Sequence, residues 1–461
     1  MKKLFLSLAL LSCAPSFAQG EKETALDRYV KAPNAAYKWS LVKTIPGDGV
    51  TAYVLDMTSQ TWLTKDEVDR PEWKHWVTIY KPDTVKHSTA LLMITGGGNG
   101  GNPPDKQDAF NAQAARKTSS VTVELRMIPN QPLSFHGESR KRTEDSMIAF
   151  TWVKHMETGD DRWPARMPMT KGAVKAMDAV TEFMKSEAGG GLTVDKYVVT
   201  GGSKRGWTTW TTGIVDKRVV AIMPVVIDLL NMVPSFVHHW RAYGFWAPAV
   251  NDYVEHGVMD KVETPEFKRL MQLVEPYEYR GRLTMPKFMV NSAGDQFFLP
   301  DSSQFYWDDL KGEKYLRYVP NSDHGVTRRT DAADSLVTYY ASIINNWKRP
   351  EFDWSIAKDG TITVNSQVKP SAVKLWQANN PDARDFRLER IGPAYKSTDL
   401  AETAPNTWVV KAPVVQKGWT AYFVELTFPA PEEMIWKFTT GVKVMPDVYP
   451  FPAPKLTPTA N

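Results

Sequence analysis

A serine follows two glycines at the point where a short apolar strand ends. Tyr197-Val-Val-Thr-Gly-Gly-Ser203-Lys-Arg-Gly206 is typical of a buried strand followed at once by a glycine-rich turn and a helix. Glycines suit such a turn because its backbone is strained and larger side chains would collide with neighbouring elements. Amides at the start of a helix also favour negative charge that develops nearby. The pattern predicts a nucleophilic Ser203, with an ordinary helix-capping serine as the alternative.

An acidic residue and a histidine follow this serine, each in a loop after a further apolar strand. The segments are Phe288-Met-Val-Asn-Ser-Ala-Gly-Asp295 and Tyr315-Leu-Arg-Tyr-Val-Pro-Asn-Ser-Asp-His324. The order serine, acid, histidine is typical of α/β hydrolases, in which the nucleophile occupies a strand-to-helix turn. We predict that His324 removes the proton of Ser203, and that Asp295 orients the histidine ring and stabilises its charged form.

Two backbone segments are candidates for binding the oxyanion of the reaction. The first is the amide of Lys204, and the second is the glycine loop Gly96-Gly97-Gly98, which follows the apolar run Leu92-Met-Ile. The same loop has another interpretation, because Gly96-x-Gly98-x-x-Gly101 matches the dinucleotide-binding fingerprint and Glu124 ends the next strand. Two prolines follow this loop directly and disrupt the first turns of a phosphate-binding helix. The hydrolase interpretation is therefore favoured, and no cofactor is expected.

Other candidate residues have weaker signals. Asp228 ends a core strand and is the alternative acid of the triad. Trp207 follows the nucleophile by about one helical turn, and it can line a substrate pocket or pack in the core, as can Trp246. His238 and His239 are adjacent in sequence, so on a helix they diverge by about 100° and do not readily share a metal. We expect no metal site.

The elements that must position these residues alternate between strands and helices. This alternation over 19–349 predicts an α/β domain with a mostly parallel sheet of the α/β-hydrolase type. A helical and aromatic insertion over 231–284 is expected to form a cap that shapes substrate access, or simply more core. The predicted strands are 50–57, 76–80, 90–94, 120–125, 197–200, 219–229, 288–290 and 315–319. The predicted helices before the insertion are 144–155 and 172–185.

The pattern changes near Pro350. Short alternating strands such as Thr361-Ile-Thr-Val364 and Trp419-Thr-Ala-Tyr-Phe-Val424 follow, without any helical period between them. Residues 350–445 therefore predict a separate β-sandwich domain of the immunoglobulin or fibronectin III kind. The Pro-rich tail at 446–461 is expected to be loose.

The N-terminus predicts export. Lys2 and Lys3 precede the apolar run Leu4–Leu11, and Ser16-Phe-Ala18 offers a cleavage site, so residues 1–18 are typical of a signal peptide. The chain is expected to be periplasmic or secreted, and lipid anchoring through Cys13 is the less favoured alternative. Cys13 is the only cysteine. Cleavage after Ala18 leaves none, which excludes intramolecular disulfides and thiol catalysis in the mature chain.

Composition narrows the range of partners. The chain is 42% apolar and 23% charged, as expected of a globular protein. Its formal charge of +4 becomes +2 after cleavage, with 54 basic against 52 acidic residues. This near balance gives no electrostatic reason to expect nucleic acid or an anionic membrane as partner. No later run of about 18 apolar residues suggests a membrane span. Oligomeric state is not predicted.

With these residues in place, the chain resembles the PhoPQ-activated pathogenicity-related protein family. The order G-x-S-x-x-G, with Arg205 where the usual pattern has its second glycine, is also similar to that of glucuronoyl esterases. The segments that carry the family resemblance are Ile94-Thr-Gly-Gly-Gly-Asn99, Pro129-Asn-Gln-Pro-Leu133, Glu144-Asp145 through Thr151-Trp152, Trp163-Pro164 with Arg166-Met-Pro-Met-Thr-Lys171, Ser203-Lys-Arg-Gly-Trp-Thr-Thr209, Asp385-Phe386-Arg387 and Gly418-Trp-Thr-Ala-Tyr-Phe-Val-Glu425.

The resemblance implies an exported α/β-hydrolase-like domain followed by a β-sandwich. It also implies an association with bacterial virulence or with resistance to host peptides, and a related secreted eukaryotic group acts as a proliferation repressor. The residues themselves predict hydrolysis of an ester or amide through an acyl-serine intermediate, with a small-molecule, peptide or glycan-ester substrate. The alternative is a secreted binding or signalling protein that retains the hydrolase scaffold without catalysis.

Overall fold

The computed structural model describes residues 23–328 and 330–454 of the chain. The predicted signal peptide at 1–18, which includes Cys13, and the end of the predicted tail at 455–461 lie outside the described residues. Among the described strands, those before residue 350 are β1 (Lys38–Ile45), β2 (Val50–Thr61), β3 (Glu72–Pro82), β4 (Thr89–Ile94), β5 (Thr122–Leu125), β6 (Leu133–Ser134), β7 (Lys141–Arg142), β8 (Lys196–Gly202), β9 (Val219–Val225), β10 (Lys287–Ser292) and β11 (Lys314–Val319).

One large sheet is the centre of this part of the chain. Its strand order is β1-β2-β3-β5-β4-β8-β9-β10-β11, and β6 and β7 pair with each other outside it. The strands from β5 to β11 in this order run parallel, whereas β1, β2 and β3 run antiparallel to their neighbours. A mostly parallel sheet with a serine on the turn after a central strand is the α/β-hydrolase architecture. The predicted fold class is therefore confirmed.

Helices cover both faces of the sheet, which is why its central strands are mostly buried and rich in apolar residues. The helices are α1 (Ala25–Lys31), α2 (Ala109–Thr118), α3 (Glu144–Thr158), α4 (Arg166–Lys185), α5 (Lys204–Val215), α6 (Met232–Tyr243), α7 (Asn251–Glu255), α8 (Pro265–Val274), α9 (Ala332–Ile344) and α10 (Leu388–Ile391). On β8, Val199 packs in one apolar cluster with Met177 of α4 and Trp210 of α5. Its neighbour Val198 packs in another cluster with Tyr340 of α9, because successive strand side chains point to opposite faces.

The predicted helical insertion lies between β9 and β10. It contains α6, α7 and α8 together with three short 3₁₀ turns at Pro248–Val250, Met259–Lys261 and Pro276–Arg282. In α8, Thr264 accepts a hydrogen bond from the amide of Phe267 at 3.2 Å, and Pro265 occupies the first helical position. Across the described parts of the chain, no helix combines the length and the apolar character that a bilayer crossing requires.

The chain after residue 350 forms antiparallel sheets. The strands are β12 (Phe352–Ile356), β13 (Ile362–Ser366), β14 (Ala372–Asn380), β15 (Lys396–Asp399), β16 (Thr407–Val410), β17 (Trp419–Pro429), β18 (Ile435–Thr439) and β19 (Lys443–Met445). One sheet has the order β12-β13-β16 and the other has β15-β14-β17-β18, with β19 also paired to β17. Val364 of the first sheet and Val424 of the second are buried in the same apolar cluster. The two sheets therefore form a sandwich.

The sandwich and the parallel sheet meet through aromatic side chains. The Phe438 ring of β18 stacks on the Tyr315 ring of β11 with centroids 4.2 Å apart, and it contacts the edge of Phe288 at 5.5 Å. The amide of Tyr318 also donates to Thr439 Oγ1 at 3.0 Å. The two parts thus share one buried contact surface. Their division into domains at 19–349 and 350–445 stays a prediction.

The described part of the tail, 446–454, differs from the loose segment expected from its prolines. Tyr449 lies against α6, with its hydroxyl 2.8 Å from His238 Nδ1 and its ring 4.0 Å below the Arg241 guanidinium. The amide of Phe451 donates to the carbonyl of Arg241 at 3.2 Å. An aromatic side chain with a polar tip anchors this segment, which a proline count does not reveal.

We expect the sandwich and the parallel sheet to unfold together because they share the ring of Phe438, which is 1% exposed. Phe438→Ala should lower the free energy of unfolding by about 3–5 kcal/mol. The exposed Val414→Ala is the control and should change it by less than about 0.5 kcal/mol. Urea unfolding followed by tryptophan fluorescence and far-UV circular dichroism measures both. Two well-separated transitions in the wild type would contradict this coupling.

Candidate active site

The turn that bears Ser203 is a strained strand-to-helix elbow. Ser203 has φ 58° and ψ −126°, a backbone conformation that residues with a side chain rarely adopt. Its amide donates to the carbonyl of Val225 on β9 at 2.8 Å, which fixes the turn against the next strand. A Cβ on Gly206 would lie 2.8 Å from Ile227 Cγ2. The displaced glycine of the G-x-S-x-x-G pattern is thus needed for close packing of α5 on the sheet.

Asp295 and His324 come from the loops after β10 and β11 and form a hydrogen-bonded pair. His324 Nδ1 lies 2.8 Å from Asp295 Oδ2 and 3.0 Å from Oδ1. Asp295 is buried, and its Oδ1 accepts from the amide of Phe297 at 2.7 Å. The backbone amide of His324 donates to Gln296 Oε1 at 2.8 Å. The carboxylate and the imidazole are therefore both held in orientation by their neighbours.

The outer nitrogen of the histidine is available. His324 Nε2 is buried and has no hydrogen-bond partner within the described residues. The His324 ring lies against Phe297 with centroids 4.3 Å apart, and Phe297 and Phe298 line the same cavity as Ser203. Phe297 thus lies between the serine cavity and the histidine–aspartate pair. An imidazole with one nitrogen bound to a carboxylate and the other unpaired has the arrangement of a general base.

The two other acidic residues near the histidine have different partners. Asp228 accepts hydrogen bonds from the hydroxyls of Tyr306 at 2.5 Å and Tyr318 at 2.6 Å, and none of the bonds described for it involves His324. Burial raises the pKa of Asp228 to about 7, although the two tyrosine hydrogen bonds oppose the shift. Asp323 accepts from the amide of Gly325 at 2.8 Å and closes a turn. Of these acids, only Asp295 contacts the imidazole.

The two predicted oxyanion segments lie at the same edge of the sheet. Ile94, which ends β4, pairs with Gly201 of β8, so the loop Gly96–Gly98 follows directly beside the elbow. A Cβ on Gly96 would lie 2.6 Å from Arg205 Nη2, so glycine permits this close approach. Lys204 is the first residue of α5, a position where the amide has no intrahelical acceptor. The Lys204 amide and the glycine loop remain proposed oxyanion donors.

A compact group of charges lies behind the elbow. Lys204 Nζ lies 2.9 Å from Glu144 Oε2 and 2.9 Å from Asp145 Oδ2. Arg205 Nη2 lies 2.7 Å from Glu144 Oε1, and the hydroxyl of Tyr253 donates to Asp145 Oδ1 at 2.9 Å. Burial alone would raise the pKa of Glu144, but hydrogen bonds and charges from Arg205 and Lys204 outweigh it and lower that pKa to about 2. Glu144 also has φ 48° at the start of α3.

Sequence reasoning assigned no role to Glu144, Asp145, Arg166 or Arg205, although each lies within a segment that carries the family resemblance. Arg166 begins α4, a helix whose other side chains are largely apolar, and it is 4% exposed. The available sequence signal was the position of Arg166, a charged residue in a mostly apolar helix. This signal indicates a buried charge, but it does not show which residues that charge contacts.

The cavity at Ser203 is small and mostly apolar. It has about 40 Å³ open to the centre of a water molecule, and its walls include Trp207, Phe236 and Phe297. Trp207 donates from Nε1 to the carbonyl of Val274 at 2.8 Å, so its ring is fixed between core and cavity. Trp246 lines a separate, neighbouring cavity with Phe236 and His239. The structure therefore brings Trp207 to the serine, but not Trp246.

A larger groove begins at the glycine loop. It has about 940 Å³ open to water-sized molecules and includes Asn99, Gly100 and Gly101, which follow the loop directly. Further along, Trp76 and Met127 contribute apolar walls, whereas lysine, arginine and acidic side chains line its rim. This groove shares no lining residue with the Ser203 cavity, although both lie near the glycine loop.

The dinucleotide alternative does not match the local geometry. After Gly101 the chain is irregular until α2 begins at Ala109, so no helix N-terminus follows the glycines directly. Glu124 instead forms an ion pair with Arg126 at 3.0 Å and accepts from Thr95 Oγ1 at 3.3 Å. Within residues 23–328 and 330–454, no three histidine, cysteine or acidic side chains form a group that could hold a metal ion.

The chain after residue 350 forms hydrogen bonds with the loops that contain Asp295 and His324. The amide of Leu388 donates to the carbonyl of Gly294 at 2.9 Å, directly before Asp295. Asn321, three residues before the histidine, forms two hydrogen bonds of 2.9 Å with the backbone of Tyr395. The segment between β14 and β15 therefore holds both loops from outside the parallel sheet.

Comparison with known proteins identifies a matching family and several solved structures with a similar fold. The profile of the family described as PhoPQ-activated pathogenicity-related protein matches residues 26–387. Autocrine proliferation repressor protein A of Dictyostelium discoideum is 38% identical over 479 residues, which cover 98% of this chain and 95% of that protein.

Solved structures with a similar fold include two acetyl xylan esterases. Acetyl xylan esterase 1 from Thermoanaerobacterium sp. JW/SL YS485 is 13% identical, with a TM-score of 0.49 over 70% of this chain and 92% of that chain. The enzyme from Paenibacillus sp. R4 is 12% identical, with a TM-score of 0.49 over 69% of this chain and 92% of that chain.

The charge group predicts a pH-dependent contribution to stability. The pKa of Glu144 is about 2 in the folded chain against an ordinary value of 4.5. The ionised side chain therefore stabilises the fold above about pH 4.5, and this contribution is lost as the pH falls toward 2. Because Glu144 is partly exposed but has two cationic partners, we expect Glu144→Gln to cost about 1 kcal/mol at pH 7.

Urea unfolding of wild type and Glu144→Gln at pH 7, 5, 4 and 3 measures this difference. It should shrink steadily below pH 4.5. The exposed Glu157→Gln controls for loss of one negative charge and should give a smaller, nearly constant difference. A Glu144→Gln difference that grows as the pH falls would contradict the assignment.

Proposed function

The chain belongs to the PhoPQ-activated pathogenicity-related protein family, and from this premise we propose that it is a serine hydrolase that cleaves an ester or amide bond. The observation that carries the proposal is that Phe297 lines the Ser203 cavity and also contacts the His324 ring. The strained Ser203 lines this cavity, and Phe297 connects it to a His324 ring that is bound to Asp295 and has an unpaired Nε2. Ser203 is the proposed nucleophile, His324 the general base and Asp295 the orienting acid.

In the first step, Ser203 Oγ bonds to the carbonyl carbon of the substrate while its proton passes to His324 Nε2. The carbonyl π electrons move to the oxygen, which becomes an oxyanion in a tetrahedral intermediate. The amides of Lys204 and of the loop Gly96–Gly98 are the proposed donors to that oxyanion. When the carbonyl re-forms, the bond to the leaving group breaks, and the proton on Nε2 passes to the departing oxygen or nitrogen. An acyl-serine ester remains.

A water molecule then completes the reaction. His324 Nε2 takes one proton from the water as its oxygen bonds to the acyl carbon. Collapse of the second tetrahedral intermediate breaks the bond to Ser203 Oγ, which receives the proton back. Asp295 stabilises the imidazolium in both steps because its carboxylate accepts from the Nδ1–H. The open groove beside the glycine loop has room for a sugar or a short peptide as the leaving group.

Export is part of the proposal and is supported by the N-terminal signal sequence pattern. An association with virulence is supported by the description of the family.

A second candidate function is secreted signalling without catalysis. The observation that favours it is the 38% identity, over nearly the whole chain, with a protein named for repression of autocrine proliferation. A hydrolase scaffold can bind a partner without turning over a substrate. The two candidates differ in one property, the reactivity of Ser203.

We expect a fluorophosphonate probe to label the folded wild-type protein at Ser203. Ser203→Ala should abolish labelling, and His324→Ala should slow it about 100-fold or more because the serine loses its general base. Ser371→Ala replaces a serine of the sandwich that donates to the Thr427 carbonyl, and it should label as the wild type does. Gel fluorescence over a time course gives the rates.

Circular dichroism establishes that each variant is folded. If a folded wild type labels no faster than Ser203→Ala, the serine is not activated and the signalling candidate replaces the hydrolase.

Two matched variants distinguish the candidate acids. Asp295→Asn should slow labelling by a factor on the order of 10³, because the amide no longer stabilises the imidazolium. Asp228→Asn should slow it less than about tenfold. Its main expected effect is a loss of about 1–3 kcal/mol of stability, since the amide cannot accept from both tyrosines as the carboxylate does. Labelling rates and urea midpoints measure these effects. The reverse ranking of labelling rates would assign Asp228 as the acid.

A further inference from the structure

Arg166 is a buried cation on the wall of the cavity that contains Ser203. It is 4% exposed and lines the cavity together with Trp207 and Phe297. Its Nη1 donates to the carbonyl of Lys204 at 2.9 Å, and its Cζ lies 4.4 Å from the centre of the Trp207 ring. Its Nε is buried and donates to no acceptor among the described residues. The guanidinium therefore has at least one buried donor that is unused.

No carboxylate in the described parts of the chain forms an ion pair with Arg166. Asp145, on the cavity wall, and the neighbouring Glu144 are bound by Lys204, Arg205 and Tyr253. Three cations, Arg166, Lys204 and Arg205, thus accompany two carboxylates, and Arg166 is the cation of the three that has no direct ion pair. An arginine stays protonated at neutral pH, and leaving it buried without a counter-ion is unfavourable. Burial lowers the pKa of Arg166, and the nearby Tyr253 and Asp145 only partly oppose this shift.

The shape of the cavity limits what can supply the missing anion. About 40 Å³ open to the centre of a water molecule is room for roughly three waters, which a short acyl chain can replace but a sugar or a peptide cannot. The walls around Ser203 are apolar apart from Arg166, Asp145, Lys204 and the Tyr253 hydroxyl, which donates to Asp145. The group that enters is therefore a few methylenes long and ends in an acidic group.

We propose that Arg166 binds the carboxylate of the acyl part of the substrate, so that the preferred substrates are half-esters or half-amides of short dicarboxylic acids. This inference rests on the proposed hydrolase function. A guanidinium donates two parallel hydrogen bonds to a carboxylate, and such charge-assisted bonds are strong in an enclosed site. Recognition of a free amino group is the opposite alternative. It is disfavoured because Glu144 and Asp145 already have cationic or hydroxyl partners.

Arg166 also has a structural contact, the bond to the Lys204 carbonyl at the elbow. Loss of that bond alone would affect every substrate by the same factor. The ratio of two substrates therefore separates carboxylate binding from a structural role. Monoethyl succinate and ethyl butanoate have the same leaving group and acyl chains of similar length, and they differ in the carboxylate.

We expect wild-type kcat/KM, from ethanol release at pH 7, to be about 10- to 100-fold higher for monoethyl succinate than for ethyl butanoate. Arg166→Gln should bring this ratio near one. Arg166→Lys keeps the charge but not the paired donors, so it should give an intermediate ratio. Arg162→Gln removes one positive charge from an exposed arginine four residues away, and it should keep the wild-type ratio. A folded wild type that hydrolyses both esters at equal rates would overturn the inference and leave the hydrolase function intact.

A binding measurement separates this inference from failure of catalysis. Ser203→Ala should bind monoethyl succinate in isothermal titration calorimetry, and Ser203→Ala/Arg166→Gln should bind it about 10-fold or more weakly. This result supports the carboxylate site even if fluorophosphonate labelling and ester hydrolysis both fail. Equal binding by the two folded proteins, or binding by neither, would overturn it. Far-UV circular dichroism of each variant establishes that it is folded.

Discussion

The backbone of Ser203 is the constraint on which the rest of the site depends. A non-glycine residue at φ 58° and ψ −126° is strained, at a cost on the order of 1–3 kcal/mol, and persists only where its surroundings fix it. Two contacts do so: the hydrogen bond from the Ser203 amide to Val225, and the packing of α5 against β9 that Gly206 permits. The strain positions the serine side chain above the sheet edge and leaves the first amides of α5 facing the same space. The parallel sheet thus holds Ser203 in its strained conformation.

Ion pairs fix the geometry of the residues that follow the serine. The two residues after the serine, Lys204 and Arg205, both bind Glu144, whose own backbone has φ 48°. Two strained positions on different elements are therefore joined by ion pairs. Buried or half-buried ion pairs contribute little net stability, but they fix geometry because any other arrangement leaves a charge unpaired. We infer that the group around Glu144 sets the orientation of α5, and hence of the elbow, more than it adds to the free energy of folding.

Much of the fold, and the identity of the candidate triad, could be predicted from the sequence because each rests on local pattern. Buried strands such as β8 are short apolar runs, and Ser203, Asp295 and His324 each follow such a run in a characteristic order. The order of residues favoured Asp295 over Asp228, but both end core strands, and it is the fold that shows Asp295 in contact with the imidazole. The role proposed for Arg166 could not be predicted from the sequence. It depends on contacts with Trp207 and the Lys204 carbonyl, which are distant in sequence.

The chain after residue 350 also affects the site through contacts between residues that are distant in sequence. A histidine and an acid on two separate loops keep their hydrogen bond only if both loops are fixed relative to each other. The segment between β14 and β15 contacts both, through Leu388 to the carbonyl of Gly294 and through Tyr395 to Asn321. A Cβ on Gly294 would lie 2.6 Å from the carbonyl of Ser322, so the two loops also pack directly on each other there. The antiparallel sheets therefore contribute to the geometry of the His324–Asp295 pair without supplying a residue to the proposed chemistry.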